Sequence, residues 1–405
     1  MGEDDKRVKM AILDHCPDLA GAQVTILTLL RKIDRSRFDV TVVLPSEGTF
    51  STALAASGIP VAILHLPMGM VRLKRGRSLQ SFLRLLLSLF PFCFFLLSLC
   101  SYLKRNHFQL VLTNTIKSHL YGSLAARLCS IPLIWRFHDI LARKDFSPSL
   151  IKFLAFFGKR FPKKILAVSK VTRDHLLQHG IGSGRVKVIF NSVDPERLET
   201  EDSFKNIREE YRLGNGTKLV GCIGRIIPQK GQKVLLSAVP QVLRRRPDAF
   251  FLIVGDVFLK EENYREELLE FIKDNRIEKN ARLTGFRTDI GNVIRSLDLV
   301  IFPSIAPEAF PLSVLEAMVL GKPVIGSDIG GVQEMIEDGV TGLLVEPNRP
   351  EQITEKILFL LNDPQRCEEI GQRAKEFVNR KFSMENYVLD MEEACWAVGS
   401  MGGKA

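Results

Sequence analysis

Short runs of β-branched and aliphatic residues alternate with longer stretches of helical period along the whole chain. That alternation is the pattern of parallel sheets covered by helices. In the first half it predicts strands over 8–13, 38–44, 61–66, 109–113, 133–137, 164–168 and 186–190. The second half repeats the scheme over 218–223, 250–254, 281–284, 299–302, 323–326 and 342–345. Between the two sets, 194–215 is polar, poor in strand formers and runs into a Gly-Asn-Gly turn, so an inter-domain linker is expected there. The expected domains are therefore 1–200 and 215–382, both α/β.

Length agrees with that division, because 405 residues exceed what one hydrophobic core ordinarily supports. The composition, 46% apolar and 25% charged, is that of a globular chain rather than a disordered or fibrous one. Seven scattered cysteines without a C-x-x-C pair argue against a disulfide framework or a thiolate metal site and for a reducing, cytosolic setting. The charged start (Glu3, Asp4, Asp5, Lys6, Arg7, Lys9) leads straight into a strand pattern, so no secretory signal is expected. Net charge changes the picture more. Residues 1–200 carry 29 Lys+Arg against 14 Asp+Glu, whereas 201–405 carry 27 against 32. The basic excess thus belongs to the first half, which should face something anionic: a membrane surface, a lipid diphosphate or an acidic glycan. Nucleic acid is disfavoured, since no helix-turn-helix, zinc-finger or ribonucleoprotein signature accompanies the charge.

The stretch 85–103 is uncharged over nineteen residues and is flanked by Arg77, Arg84, Lys104 and Arg105. Its length would reach across a bilayer. Pro91 interrupts it, and strand-helix units lie on both sides. A core helix, a helix on the membrane interface and a span all remain open for it. Phe153, Phe156, Phe157 and Phe161, interleaved with Lys159, Arg160, Lys163 and Lys164, form a second apolar-basic stretch and favour membrane contact.

Each half opens with a strand, a glycine-bearing loop and an apolar-periodic helix. The loops are Asp18-Leu19-Ala20-Gly21-Ala22-Gln23 and Pro228-Gln229-Lys230-Gly231. In open α/β sheets such loops lie at the carboxyl ends of strands, where ligands bind and helix starts offer N–H groups to anions. Two such openings imply a cleft between domains. No G-x-G-x-x-G stands between a strand and a helix, which disfavours a nicotinamide dehydrogenase. The most informative segment runs from Phe302 to Met318: a strand end, a loop carrying Glu308, Pro311 suited to a first helical position, and Glu316 in the second helical turn. Two carboxylates so placed can grip separate hydroxyls of one ligand. Gly330-Gly331-Val332 forms a further loop downstream.

These residues resemble the retaining glycosyltransferases of family 4 type with the GT-B fold, two Rossmann-like domains whose parallel sheets face across a cleft. The family signature, two glutamates separated by seven residues, is matched by Glu308 and Glu316. The resemblance extends to Gly224-Arg225 through Lys230-Gly231, Val168-Ser169-Lys170, Asn191-Ser192-Val193-Asp194, Gly285-Phe286 and Pro303-Ser304. It implies that Arg225 and Lys230 bind the diphosphate of a nucleotide-diphosphate sugar, that Glu316 holds ribose and that Glu308 holds the transferred sugar. It also implies that His138 lies near that sugar and Gly21 beside the phosphates and acceptor, a glycan or lipid-linked molecule. Phe310, Leu312 and Ser313 complete the donor set, with Leu312 and Ser313 supplying N–H groups because Pro311 stands where the family has glycine. In such enzymes the departing phosphate takes the acceptor proton, so no protein nucleophile is required. A final helix from 383 would cross back to the first domain. The absence of Asp-x-Asp argues against the metal-dependent single-domain transferases, so neither a catalytic metal nor a cofactor is expected. The alternative is a non-catalytic nucleotide-sugar-binding or scaffold protein of the same fold. His15, His65, His107, His119, His175 and His179 have no comparable context and read as structural.

Overall fold

The computed structural model describes residues 7–66, 79–142, 146–199, 206–257 and 262–400, with side chains of 79–89 excepted. Two compact units divide the chain, one of residues 1–190 with 385–405 and one of residues 191–384.

The first unit is built on seven parallel strands: β1 (Val8–Leu13), β2 (Phe38–Leu44), β3 (Val61–Ile63), β4 (Leu110–Thr113), β5 (Leu133–Phe137), β6 (Lys164–Ala167) and β7 (Val186–Val188). Their spatial order is β3-β2-β1-β4-β5-β6-β7. The central strands β4 and β5 are buried at every residue, which is why they read as unbroken apolar runs rather than alternating ones. One sheet face, presenting Ala11, Val111, Trp135, Phe137 and Ile165, is packed by Phe95, Leu99 and Leu103 of helix Leu79–Arg105 and by Leu154 and Phe157 of helix Pro148–Arg160.

Helix Leu79–Arg105 runs through Pro91, which corrects the expectation that the proline interrupts it. An interior proline costs a helix about 3 kcal/mol. The downstream turns, anchored by Phe95, Leu99 and Leu103, offset that locally. Part of the 85–103 stretch lies outside the described side chains. From Phe90 onward the helix packs its inner edge into the core and leaves Phe90, Phe94 and Leu97 exposed. Among the described residues, no helix is long and apolar enough to cross a membrane.

The closing helix Met384–Gly399 belongs to this unit. Trp396 meets Phe38 edge-on at 6.0 Å, and Glu392 accepts hydrogen bonds from the Asp34 amide and the Arg37 guanidinium. Arg136, on β5 and 1% exposed, sits over the Tyr387 ring at 5.3 Å. A buried guanidinium needs such partners, and cation–π contact is one of the few a tyrosine face offers.

The second unit carries six parallel strands: β8 (Lys218–Ile223), β9 (Ala249–Val254), β10 (Ala281–Gly285), β11 (Leu299–Phe302), β12 (Val324–Ser327) and β13 (Leu343–Val345). Their order is β10-β9-β8-β11-β12-β13. In both sheets the winding direction reverses once, between β1 and β4 and between β8 and β11. Loops beyond the carboxyl ends of strands at such reversals splay apart and leave room for a ligand.

Candidate functional site

In the second unit, the loops after β8 and β11 border the reversal and carry most of the candidate residues. Two glycines let the neighbouring chain segments approach closely. Gly231 has φ +69°, and a Cβ there would lie 1.9 Å from the Pro303 carbonyl oxygen. At Gly331 a Cβ would lie 1.9 Å from the Ala309 carbonyl oxygen, while its amide donates to the Glu308 carbonyl at 2.7 Å. The Gly330-Gly331 loop is therefore a brace behind Glu308.

Lys230 Nζ donates to Glu308 Oε2 at 2.6 Å, with the two side chains 16% and 24% exposed. The same ammonium lies 5.1 Å from the centre of the Phe302 ring, and Ser304 Oγ is 3.1 Å from Glu308 Oε1. Arg225 is exposed and makes no ion pair among the described residues; its carbonyl accepts from Gln232 Nε2 at 2.7 Å. Lys230 and Glu308 are thus brought together, while Arg225 stands free of both.

Helix Leu312–Val319 starts one residue later than expected, with Pro311 at the N-cap (φ −70°, ψ 119°). The N-cap contributes only its carbonyl to the helix, so a residue without an N–H fits there as well as at the first helical position. Proline has no side-chain acceptor, so the first-turn amides of Leu312 and Ser313 lack the usual side-chain cap. Phe310 is buried with its ring edge-on to Phe382 at 5.2 Å. Glu316 falls in the second turn and is buried. Its carboxylate accepts a hydrogen bond from Arg197, in the short 3₁₀ turn Pro195–Leu198. Burial pushes the Glu316 carboxyl up, and the adjacent Arg197 cation opposes that rise. Arg197 was not legible as a site residue. The signal was present three positions beyond the Asn191-Ser192-Val193-Asp194 motif, but nothing in the pattern tied it to Glu316.

In the first unit, Gly21 is the first residue of helix Gly21–Lys32, and its N-cap Ala20 offers no side-chain acceptor. His138 follows β5 directly and is half-buried; its Nε2 lies 2.9 Å from Asn114 Oδ1. Burial, then the neighbouring Arg136 and His119, hold the His138 imidazole well below its ordinary pKa. Asn114 Nδ2 in turn donates to Asp14 Oδ2 at 2.8 Å. Asp14 and Asn114 follow β1 and β4, the two strands at the reversal, and β1 and β4 pair Leu13 with Thr113. His119 is buried, stacked on Trp135 at 4.7 Å and on Phe137 at 5.2 Å, in keeping with a structural role. Among the described residues, no group of three or more His, Cys, Asp or Glu side chains is placed to hold a metal ion.

Two parallel Rossmann-like sheets, each with polar loops and a helix start without a side-chain cap at its reversal, define the doubly wound α/β class. Comparison with known proteins narrows this. Residues 203–377 match the family described as Glycosyl transferases group 1, and residues 19–197 match Glycosyltransferase Family 4. An uncharacterized glycosyltransferase of Methanocaldococcus jannaschii is 30% identical over 283 residues, 67% of this chain and 70% of that one. The UDP-Gal:alpha-D-GlcNAc-diphosphoundecaprenol alpha-1,3-galactosyltransferase of Escherichia coli is 24% identical, with 90% of each chain covered. The crystal structure of Anabaena HepE in complex with UDP and glucose superposes with a TM-score of 0.83 at 26% identity, covering 96% of this chain and 99% of that one. The chain belongs to the family 4-type glycosyltransferases with the GT-B fold.

Proposed function

We propose that the protein transfers a hexosyl group from a nucleotide-diphosphate sugar to a glycan or lipid-linked acceptor, with retention of configuration, at the cytoplasmic face of a membrane. The observation that carries this is the Lys230–Glu308 pair at the reversal of the second sheet, 2.6 Å across. Without ligand the two charges compensate each other. A diphosphate arriving at Lys230 takes over its ammonium and frees Glu308 to accept from hydroxyls of the sugar. Departure of the sugar leaves extra negative charge on the diphosphate; Lys230, Arg225 and the amides of Leu312 and Ser313 are the groups that meet it. Glu316, oriented by its hydrogen bond from Arg197, accepts from the ribose hydroxyls. Gly21 and His138 keep the roles that the family resemblance gives them. The bound ligands of Anabaena HepE and the donor named for the Escherichia coli relative favour a uridine nucleotide.

Retention follows from the same picture, because the departing phosphate accepts the acceptor proton on the face it leaves. Positive side chains serve the leaving group, so no metal is assigned to the step. The test is a transfer assay with purified protein, beginning with UDP-glucose and UDP-galactose. Nuclear magnetic resonance reads the product anomer, and parallel reactions contain a chelator or the variants Lys230→Ala and Glu308→Ala. Retained configuration, insensitivity to the chelator and loss of transfer in both variants are expected. An inverted anomer overturns retention, and undiminished transfer in both variants overturns the site.

Membrane contact is supported by one surface of the first unit. Phe90, Phe94 and Leu97 are 79%, 71% and 67% exposed on one helix; Phe153 and Phe156 are 48% and 55% exposed on another packed against the same sheet face. Lys152, Lys159 and Arg160 are exposed on the second helix, and Lys163 and Lys164 just after it. Aromatic side chains that enter the acyl boundary, with cations at headgroup level, suit an anionic bilayer, at about 1 kcal/mol per cation. Sedimentation with vesicles containing phosphatidylglycerol should carry the protein down, and Phe94→Glu with Phe153→Glu should leave it in the supernatant. Wild-type protein remaining in the supernatant contradicts the contact.

A further inference from the structure

We infer that Asp14 and Asn114 are positioning residues that fix the tautomer of His138, holding the proton on Nε2 and leaving Nδ1 as the ring's acceptor. The inference rests on the reading that His138 serves the transfer reaction, and its first step is independent of that reading.

Asp14 is 1% exposed, and its four hydrogen-bonding neighbours can all act as donors toward it. Oδ2 accepts from Gln23 Nε2 at 2.9 Å and Asn114 Nδ2 at 2.8 Å; Oδ1 accepts from the Cys16 amide at 2.9 Å and Thr115 Oγ1 at 3.3 Å. Burial pushes the Asp14 carboxyl up, but the Gln23 side-chain amide and the Cys16 main-chain amide already donate to its two oxygens, so it meets Asn114 as an acceptor and the NH₂ end of Asn114 faces it. The second hydrogen of that NH₂ has a second acceptor, the Ala22 carbonyl oxygen at 3.4 Å. Turning the amide over would set its oxygen against two other oxygens inside a site where Asn114 is fully buried. The orientation of Asn114 is therefore settled by its neighbours, and its oxygen is the atom facing His138 Nε2 at 2.9 Å.

An amide oxygen carries no hydrogen, so the proton of that bond belongs to the imidazole. Which ring nitrogen of a histidine is protonated is set by the hydrogen bond the other group demands. Burial and the adjacent Arg136 disfavour a second proton, so the ring is neutral. A neutral ring with hydrogen on Nε2 presents a lone pair at Nδ1, and the hydroxyls of a sugar are donors that such a lone pair accepts. The relay runs from the end of β1 through the end of β4 to the end of β5. It depends on the register that sets Leu13 beside Thr113.

Protein labelled with ¹⁵N at histidine tests this without any ligand. Two-bond ¹H–¹⁵N correlation spectra distinguish the tautomers, and the His138 signals are identified by their loss in His138→Gln. The expected wild-type pattern is that of the Nε2–H tautomer. In Asp14→Asn the new amide can donate to Asn114, which frees that residue to turn and offer its NH₂ to His138, so the Nδ1–H pattern should emerge. kcat for transfer should then fall at least about tenfold with KM for the donor nearly unchanged. The exchanged pair Asp14→Asn with Asn114→Asp again places an acceptor against Nε2 and should recover both the tautomer and most of kcat. A wild-type Nδ1–H pattern overturns the inference, as does an Asp14→Asn protein that keeps the Nε2–H pattern. If Asp14→Asn does not fold, the wild-type spectrum alone decides. A tautomer that changes with no change in transfer leaves the relay standing and removes His138 from the reaction, which separates this inference from the site reading.

Discussion

The loops at the two sheet reversals solve different electrostatic problems. After β1, β4 and β5 the polar side chains form a closed relay around one buried carboxylate. After β8 and β11 the carboxylates stand in opposed pairs, Lys230 with Glu308 and Arg197 with Glu316, each with a partly exposed cation. A closed relay fixes geometry and has nothing to exchange. A compensated pair at a surface can be opened by a ligand that supplies the missing charge. The first arrangement suits orientation of a reacting group and the second suits capture of a diphosphate.

The largest effects should come from opening the exchangeable pair. Lys230→Ala should lower transfer about 10²- to 10³-fold, as loss of one donor to a developing anion does elsewhere. Adding Glu308→Ala should cost much less than its effect alone, because the two side chains share one interaction; a double-mutant cycle on kcat/KM measures this. Full additivity would break the pairing.

Next comes the pair built on the buried Glu316 carboxylate. Arg197→Gln leaves the Glu316 carboxylate without its cation and should destabilise the protein by about 3 kcal/mol in urea unfolding at neutral pH. The Glu316 carboxyl is already raised by burial and would rise further. Its folded state then holds a proton that the unfolded state has released, so the variant should recover stability as pH falls toward the acid range. A loss that does not depend on pH would contradict this.

The histidines around the relay have the opposite pH signature. Burial lowers His119 to about 3 and His15 to about 4, and holds His138 well below 6.5. Below pH 6.5 the unfolded chain takes up protons that the folded one refuses, so stability should fall with acidification between about pH 6.5 and pH 4.5. Each histidine contributes at most about 1.4 kcal/mol per pH unit. His119→Gln should flatten the slope by about one such increment, and an unchanged slope would show that His119 is not held neutral. The smallest effect belongs to the outer face: Phe94→Glu should shift stability by no more than about 0.5 kcal/mol, because the ring is 71% exposed.

All the expected strands are present, because a strand buried on both faces leaves an uninterrupted apolar run in the sequence. Five of them, including β1 and β5, match end to end. The largest mismatches fall where partners run out: 61–66 and 186–190 are the expected bounds, yet the edge strands stop at Ile63 and Val188, which have a neighbour on one side only. Lys230 and Glu308 were legible because their spacing to glycine, proline and Glu316 is a local pattern. Asp14, Asn114 and Arg197 were not. Asp14 and Asn114 are 100 positions apart and meet through strand register, and Arg197 reaches Glu316 across 119 positions. Periodicity and spacing do not encode such long-range pairings. Pro91 belongs with them, since the packing that carries helix Leu79–Arg105 through a proline is tertiary.

Calorimetric titration of uridine diphosphate, with guanosine and adenosine diphosphates alongside, into wild-type, Lys230→Ala and Glu316→Gln protein bears most directly on the donor site. At least one nucleotide should bind the wild type, and its affinity should drop tenfold or more in each variant. Equal affinity in all three proteins, or none in any, would contradict the assignment of the second sheet's reversal as the nucleotide site.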